Sequence, residues 1–370
     1  MPCLRRLSPL SAVALAWAAF VLACAAPCAR ADGLAAYVLV GELDRLSYDA
    51  RAAGMGGAAL AVEGLSAAAV ENPATLARGF APDFSLGYSG RSPSGPAGAA
   101  QYFLAGTPAR IVTPEHFAHM YRLALQSAGP ARGELTAFCA ARCGRFALFG
   151  TKAGVARPVL SAGAAGGAQT VTVVGPGLEY EALGAAYALP LGGHHSLGLA
   201  LRQVRMFRAQ LNYTARRGPS GNVALSSDRS TVEQGLAWAA ELSWYYRGRR
   251  WAAGAVLRHA TAPRFCAFSS GARWSLEPSC DLGLAWRSAA RADLLAADVR
   301  NAFSANGGRP VLRLGWEHRF GGGRGWRAHA GACDGRLALG LGWGSPRVAA
   351  DLSFRPGRSP SASFSVGLRF

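Results

Sequence analysis

The strongest constraint on this chain is an alternation of large apolar residues with small or polar ones that continues to the last residue. At the C-terminus every second position is large and apolar, namely Phe364, Val366, Leu368 and Phe370. Successive side chains of a β-strand point to opposite faces, so this period predicts a strand with one apolar face. The same period recurs in residues 236–247, 312–320, 336–343 and 347–354.

The chemistry of the two faces favours a membrane barrel over a soluble sandwich. One face carries large apolar residues suited to lipid, and the other carries Gly, Ala, Ser and single charges suited to a wet lumen. Aromatic residues near segment ends suit interfacial girdles, and these are Trp244, Tyr245, Tyr246 and Trp343. We predict an all-β, transmembrane antiparallel β-barrel of about 14 strands between Phe84 and Phe370. The strands before Lys152 are less well defined, and Ile111 to Met120 is either a loop or a helix inserted in the lumen.

Composition excludes several other classes of protein. The chain has 370 residues, of which 51% are hydrophobic and 16% charged, so disorder is excluded. After residue 31 no apolar run approaches the roughly 20 residues that a membrane-spanning helix needs. The formal charge is +18, yet the sequence has no basic run, zinc-finger spacing or RNA-binding motif, so no nucleic-acid partner is predicted.

The first 31 residues have the order of a secretory signal peptide. Arg5 and Arg6 precede an apolar core from Leu10 to Ala26, and 29–31 (Ala-Arg-Ala) form a cleavage site. A membrane anchor is one alternative, and a lipobox ending at Cys24, which would be lipidated, is another. Predicted divisions are a signal peptide (1–31), an N-terminal hatch (32–80) and a barrel (81–370).

Residues 49–78 do not alternate and are rich in alanine and glycine. Their specific features are a glycine cluster and an Asn-Pro-Ala motif, formed by Gly54, Met55, Gly56, Gly57, Asn72, Pro73 and Ala74. The small side chains suit packing inside another structure, although a linker after the signal peptide is an alternative. The motifs resemble those of the FadL-like family of outer-membrane transporters for long-chain fatty acids and other hydrophobic compounds. PorV-type proteins and an uncharacterised spirochaetal group share them.

That resemblance implies a 14-stranded barrel in the bacterial outer membrane whose N-terminal hatch plugs the lumen and gates passive uptake. A fatty acid or another small hydrophobic molecule is the expected ligand, and outer-membrane lipid surrounds the barrel. The terminal Phe370 resembles the signal that the barrel-assembly machinery reads. Thr75 departs from the family, which usually has Gly at that position.

Five arginines fall on predicted lumen-facing positions: Arg287, Arg313, Arg319, Arg336 and Arg369. An inward guanidinium could bind a fatty-acid carboxylate through two hydrogen bonds. Alternatively, these arginines could form an ion-pair ladder that fills the lumen, because Glu241, Glu317 and Asp351 accompany them.

Five cysteines follow the predicted cleavage site, and export implies an oxidising compartment. We expect loop disulfides between Cys266 and Cys280 and between Cys139 and Cys143, which leaves Cys333 unpaired. One Cys-x-x-x-Cys pair supplies too few ligands for zinc, and no metal or cofactor is predicted. The sequence has no Gly-x-Ser-x-Gly nucleophile motif, and we predict that the protein is not an enzyme.

Two functions remain open at this point. The first is a FadL-like channel gated by the hatch. The second is a PorV-type scaffold or shuttle for exported partners, suggested by two predicted long loops, Leu211 to Thr231 and Thr261 to Ser279.

Overall fold

A computed structural model of the chain describes residues 46–78, 83–91, 114–126, 133–157, 159–165, 167–226, 231–268, 271, 273–304, 309–320, 325–357 and 360–370. The predicted signal peptide, Cys24 and residues 111–113 lie outside these ranges. The helices are α1 (Ala50–Gly54), α2 (Ala68–Glu71), a 3₁₀ helix (Pro73–Arg78) and α3 (Pro114–Gln126). None of the helices in the described ranges is long and apolar enough to cross a bilayer.

Eighteen strands make up most of the described chain. They are β1 (Asp83–Arg91), β2 (Gly133–Cys143), β3 (Phe146–Ala156), β4 (Val159–Ala165), β5 (Ala168–Leu191), β6 (His195–Arg217), β7 (Val223–Ser226), β8 (Thr231–Arg247), β9 (Trp251–Arg258), β10 (Arg264–Cys266), β11 (Arg273–Ser275), β12 (Ser279–Arg287), β13 (Asp293–Ser304), β14 (Val311–Arg319), β15 (Gly325–Cys333), β16 (Arg336–Gly344), β17 (Val348–Arg355) and β18 (Ser361–Arg369).

Fourteen of these strands close into one antiparallel barrel, as predicted. The ring closes where β1 pairs with both β2 and β18, and where β5 pairs with β6. The four remaining strands lie outside the ring: β4 pairs with β5, β7 pairs with β6, and β10 and β11 form a separate hairpin. Each of the fourteen strands in the ring has a partner strand on both sides among the described residues, as a lipid environment requires.

The predicted alternation sets which side chains meet lipid and which meet the lumen. On β14, Leu312 and Leu314 are about half exposed (53% and 47%), whereas Arg313 between them and Glu317 further along the strand are fully buried. On β16 the exposed large apolar residues are Leu337, Leu339, Leu341 and Trp343. Tyr245, however, is not part of an outer girdle. It occupies an inward position of β8 and is completely buried.

The barrel wall is much taller on one side than on the other. β5 and β6 have 24 and 23 residues, whereas β14, β15, β16 and β18 have 9 each. Nine residues rise about 30 Å, which tilted strands need to cross an apolar band of about 25 Å. On the tall side Lys152 pairs with Glu179 and Glu181 on the outer face, and these charges mark the limit of the lipid-facing surface.

The extended parts of β5 and β6 carry the helix α3. Its residues Phe117 and Met120 pack against Val171, Val173 and Ala215. By alternation, Val171 and Val173 lie on the opposite face of β5 from the lumenal Leu178 and Tyr180. The helix at 114–126 therefore packs on the outer face of the extension and is not inserted in the lumen.

The two predicted long loops contain regular structure. Residues 211–217 continue β6, and β7 follows at Val223–Ser226. Within 261–279, β10 and β11 form a hairpin whose Phe265 and Trp274 stack on each other. Trp274 Nε1 lies 3.3 Å from Met206 Sδ, so the hairpin packs over the lumenal face of β6.

No disulfide joins the five cysteines of the described ranges. Cys139 and Cys143 lie on one strand, about 13 Å apart at the usual rise per residue, which is beyond the reach of a disulfide. Cys280 is buried in β12, whereas Cys266 is exposed in β10. The predicted Cys139–Cys143 bond is wrong because both residues lie on one extended strand, and the predicted Cys266–Cys280 bond is not formed.

Candidate functional site

Residues 46–78, called the plug from here on, fill the middle of the barrel. Nearly all of them are buried, and α1 contacts β15, β16, β17 and β18 while the 3₁₀ helix contacts β5, β6 and β8. Asp49 organises the first part of the plug. Its carboxylate accepts hydrogen bonds from the backbone N–H groups of Arg51 (2.9 Å), Ala52 (3.1 Å) and Ala67 (3.2 Å), so one side chain caps α1 and fastens the segment before α2.

The glycine cluster lets the plug lie directly against the barrel wall. Gly56 and Gly57 have φ of +67° and +90°, a conformation that side chains disfavour. A Cβ on Gly56 would lie 2.5 Å from the carbonyl oxygen of Ala332 in β15. The wall also has glycines where the plug approaches it closely. A Cβ on Gly254 of β9 would lie 2.2 Å from the carbonyl oxygen of Leu60 in the plug.

The Asn-Pro-Ala motif fastens the second half of the plug. Asn72 Nδ2 donates to the carbonyl of Leu60 at 2.6 Å, and its Oδ1 accepts from the N–H of Ala74 at 3.1 Å. Two wall serines complete the attachment. Ser196 Oγ donates to the carbonyl of Ala74 (2.8 Å), and Ser243 Oγ accepts from the N–H of Ala74 (2.9 Å).

A charge-balanced network lies on the side of the plug that faces the tall wall. Arg300 donates to Glu71 at 2.6 Å and to Asp281 at 3.0 Å, and Arg258 donates to Asp281 at 2.7 Å. Arg202 pairs with Glu241, which Arg258 also approaches at 3.5 Å. Three arginines therefore face three carboxylates, around a polar space of about 40 Å³ that has room for a few water molecules.

Glu71 connects this network to the plug. Burial by itself raises the pKa of its carboxyl, but the guanidiniums of Arg300 and Arg258 outweigh burial and hold the pKa below its usual value. Glu71 is therefore ionised at neutral pH. The plug and the wall are therefore joined by a buried ion pair between Glu71 and Arg300.

The predicted lumenal arginines are divided between the plug, the wall and the two rims. Arg313 is fully buried and donates to the carbonyl of Gly57 at 3.0 Å. Arg319 donates to Glu317 at 2.7 Å, and Glu317 also accepts a hydrogen bond from Arg51 of the plug at 2.5 Å. Arg287 binds Glu63 of the plug at 3.2 Å. Arg336 and Arg369 lie exposed at opposite rims.

The contacts between Glu63 of the plug and the barrel wall were not predicted from the sequence. The Glu63 carboxylate accepts from the hydroxyl of Tyr245 at 2.8 Å and lies 3.4 Å from Arg247, in addition to its contact with Arg287. Tyr245 sits between two aromatic residues with outward side chains, Trp244 and Tyr246. The alternation of side chains along β8, applied strictly, places Tyr245 in the lumen, so the sequence contained the signal for this inward position.

A second cavity opens at the rim that carries the C-terminus and the short turns. We call it the vestibule. It encloses about 450 Å³, and within the described chain its lining includes nine arginines and four carboxylates. Arg287, Arg319 and Arg369 line it, whereas Arg313 and Arg336 do not.

Sequence comparison gives no match to a protein family and none to a curated protein. Comparison with solved structures gives strong matches at low identity. Each of three covers 88% of this chain: a Pseudomonas aeruginosa FadL homologue (12% identity, 98% of that chain, TM-score 0.53), the P. putida toluene transporter TodX (13%, 99%, 0.52) and the Ralstonia pickettii toluene transporter TbuX (13%, 98%, 0.52). At this identity the similarity concerns the fold. The chain therefore shares the FadL-like barrel fold.

Proposed function

We propose that the protein is an outer-membrane channel for passive uptake of small hydrophobic molecules, with the plug as its gate. The observation that carries this proposal is a plug held in a closed barrel by glycine contacts, hydrogen bonds and ion pairs. Apolar side chains of the plug such as Met55 and Leu76 also pack against the wall, but the polar contacts can be exchanged for water when the plug moves.

The comparisons support a hydrophobic substrate. TodX and TbuX are described as toluene transporters, and a third match as a FadL homologue. Long-chain fatty acids and monoaromatic hydrocarbons are therefore the two substrate classes to compare. The exposed Phe370 at the end of β18 is the group that we propose the barrel-assembly machinery reads after export and cleavage of residues 1–31.

Uptake by intact cells tests this function. Cells that contain the protein in their outer membrane should accumulate labelled toluene or labelled long-chain fatty acid faster than cells with an empty vector. A small hydrophilic dye is the matched control, because a leaky barrel admits the dye as well. If cells with the protein and cells with the empty vector accumulate each hydrophobic compound at the same rate, the proposal is contradicted.

The tall wall supports one alternative. The extended strands and α3 project a one-sided surface beyond the apolar band, as a scaffold for exported partners requires. Cross-linking in intact cells separates the two functions. If the protein is a scaffold, the cross-linked sample should contain a second protein in stoichiometric amount. If it is a channel, the sample should contain lipid or ligand.

A further inference from the structure

We propose that the vestibule is a binding site for small multivalent oxyanions, either phosphates or carboxylates, and that the bound anion competes with Glu63 of the plug. The charge balance is the first argument. Nine arginines and four carboxylates line the vestibule, whereas the ion-pair network beyond the plug has three of each. Glu317 pairs with Arg51 and Arg319, although it is not part of the lining. When its negative charge is included, an excess of four positive charges remains around the vestibule.

Glu63 provides the second argument, because it is a carboxylate already bound by this cluster. Arg287 holds one of its oxygens through both terminal nitrogens at 3.2 Å, and the hydroxyl of Tyr245 donates to the other at 2.8 Å. Arg247 lies 3.4 Å from that second oxygen. Two guanidiniums and a hydroxyl therefore already surround one carboxylate, with charge-assisted contacts to both of its oxygens. The vestibule can therefore bind an anion with groups that it already uses for its own chain.

Unused donors are the third argument. Arg78 donates through Nη1 to the carbonyl of Gly193 at 3.0 Å, but its buried Nε and Nη2 have no hydrogen-bond partner among the residues that the structure describes. Within the described part of the chain, Arg291 and Arg369 have no carboxylate within ion-pair distance. The guanidiniums of Arg291 and Arg369 thus line a water-accessible space of about 450 Å³, which is the size of a small-molecule site.

A small soluble anion fits this site better than a hydrophobic substrate does. The vestibule opens at the rim and its lining is dominated by charge, whereas the hydrophobic function concerns passage through the barrel. The proposal is therefore independent of transport. Because Glu63 belongs to the plug, an anion that takes over Arg287 removes one attachment of the plug to the wall.

Calorimetric titration of the full-length protein in zwitterionic detergent with inorganic pyrophosphate tests the site. We expect saturable binding that weakens as salt is raised. Arg291→Asn together with Arg369→Gln should weaken binding by about tenfold or more, since two charges near a multivalent anion are lost. Asn suits position 291, where φ is +57°. Citrate in a parallel titration distinguishes carboxylate from phosphate preference.

Two further variants make the test decisive. Arg264→Gln with Arg336→Gln removes two exposed arginines from the opposite end of the barrel and should leave pyrophosphate binding unchanged. Glu63→Gln frees Arg287 and should strengthen binding by about tenfold, because a competing negative charge is removed. Absence of saturable binding, equal loss in both arginine pairs, or weaker binding in Glu63→Gln would overturn the proposal. Each of these results leaves hydrophobic uptake to be judged by its own assay.

Discussion

Replacing Gly254 of β9 with alanine should loosen the plug while the barrel stays folded. The three atoms nearest to the added Cβ all belong to the plug: the carbonyl oxygen and carbon of Leu60 at 2.2 and 2.8 Å, and Asn72 Nδ2 at 2.8 Å. Ordinary contacts of a Cβ begin near 3.4 Å, so the backbone at Leu60 has to move by about 1 Å. Such overpacking costs about 1–3 kcal/mol, which raises the population of the displaced plug about 5- to 150-fold.

Hydrogen exchange measured by mass spectrometry reports this population directly. Peptides that cover residues 50–78 should exchange faster in Gly254→Ala than in the wild type, by the factor above. Peptides from β14–β18 should be unchanged. Gly367→Ala is the matched control, because its Cβ would meet no atom closer than Ser66 Oγ at 3.5 Å. Unchanged exchange of the plug in Gly254→Ala, or equal acceleration in Gly367→Ala, would show that the plug does not rest on these wall glycines.

Three other predictions concern the contacts around the plug. Glu71→Gln leaves Arg300 and Arg258 with an uncompensated charge and should cost about 3–5 kcal/mol in denaturant unfolding at neutral pH. Because the pKa of Glu71 is lowered in the fold, its stabilisation is complete above the unfolded pKa of about 4.3 and is lost as pH falls through the folded value. The variant should therefore lose less stability in acid than the wild type. Asn72→Asp replaces the donor to Leu60 with an acceptor, so plug amides should exchange faster, whereas a similar change at the exposed Asn222 should have no effect. The intact mass of protein purified without reductant should show no loss of hydrogens for a Cys139–Cys143 bond, and a mass lower by two hydrogens that maps to this pair contradicts the strand placement.

The barrel was predictable because its determinants are local and repeated. A period of two, seen in residues 312–316 and 364–370, fixes which face meets lipid, and 14 strands follow from counting such segments. Turns were also predictable from the sequence. Asp334 and Gly335, which connect β15 to β16, have φ of +50° and +72°. The extended parts of β5 and β6 were not predictable, because strands beyond the membrane no longer need a lipid-facing side.

The interior was only partly predictable. The glycine and Asn-Pro-Ala motifs identified the segment that contacts the wall, but not which wall residues it meets. Contacts such as Arg51 with Glu317 span 266 positions in the chain, so only the closed fold brings them together. The disulfide prediction failed for a related reason. Spacing alone does not show that Cys139 and Cys143 belong to one extended strand.

The central claim is that hydrophobic molecules pass when the plug moves, and a reversible lock on the plug tests it most directly. Ala74→Cys with Ser243→Cys places thiols on two neighbouring residues of the plug and β8, because the backbone N–H of Ala74 lies 2.9 Å from Ser243 Oγ. In intact cells, uptake of labelled toluene or fatty acid should fall to the empty-vector level when this pair is oxidised, and should recover after reduction. Ser243→Cys alone should be unaffected by either treatment. Uptake that is equal in the oxidised and reduced double variant, once the bond is verified by mass spectrometry, would contradict the account of the plug as the gate.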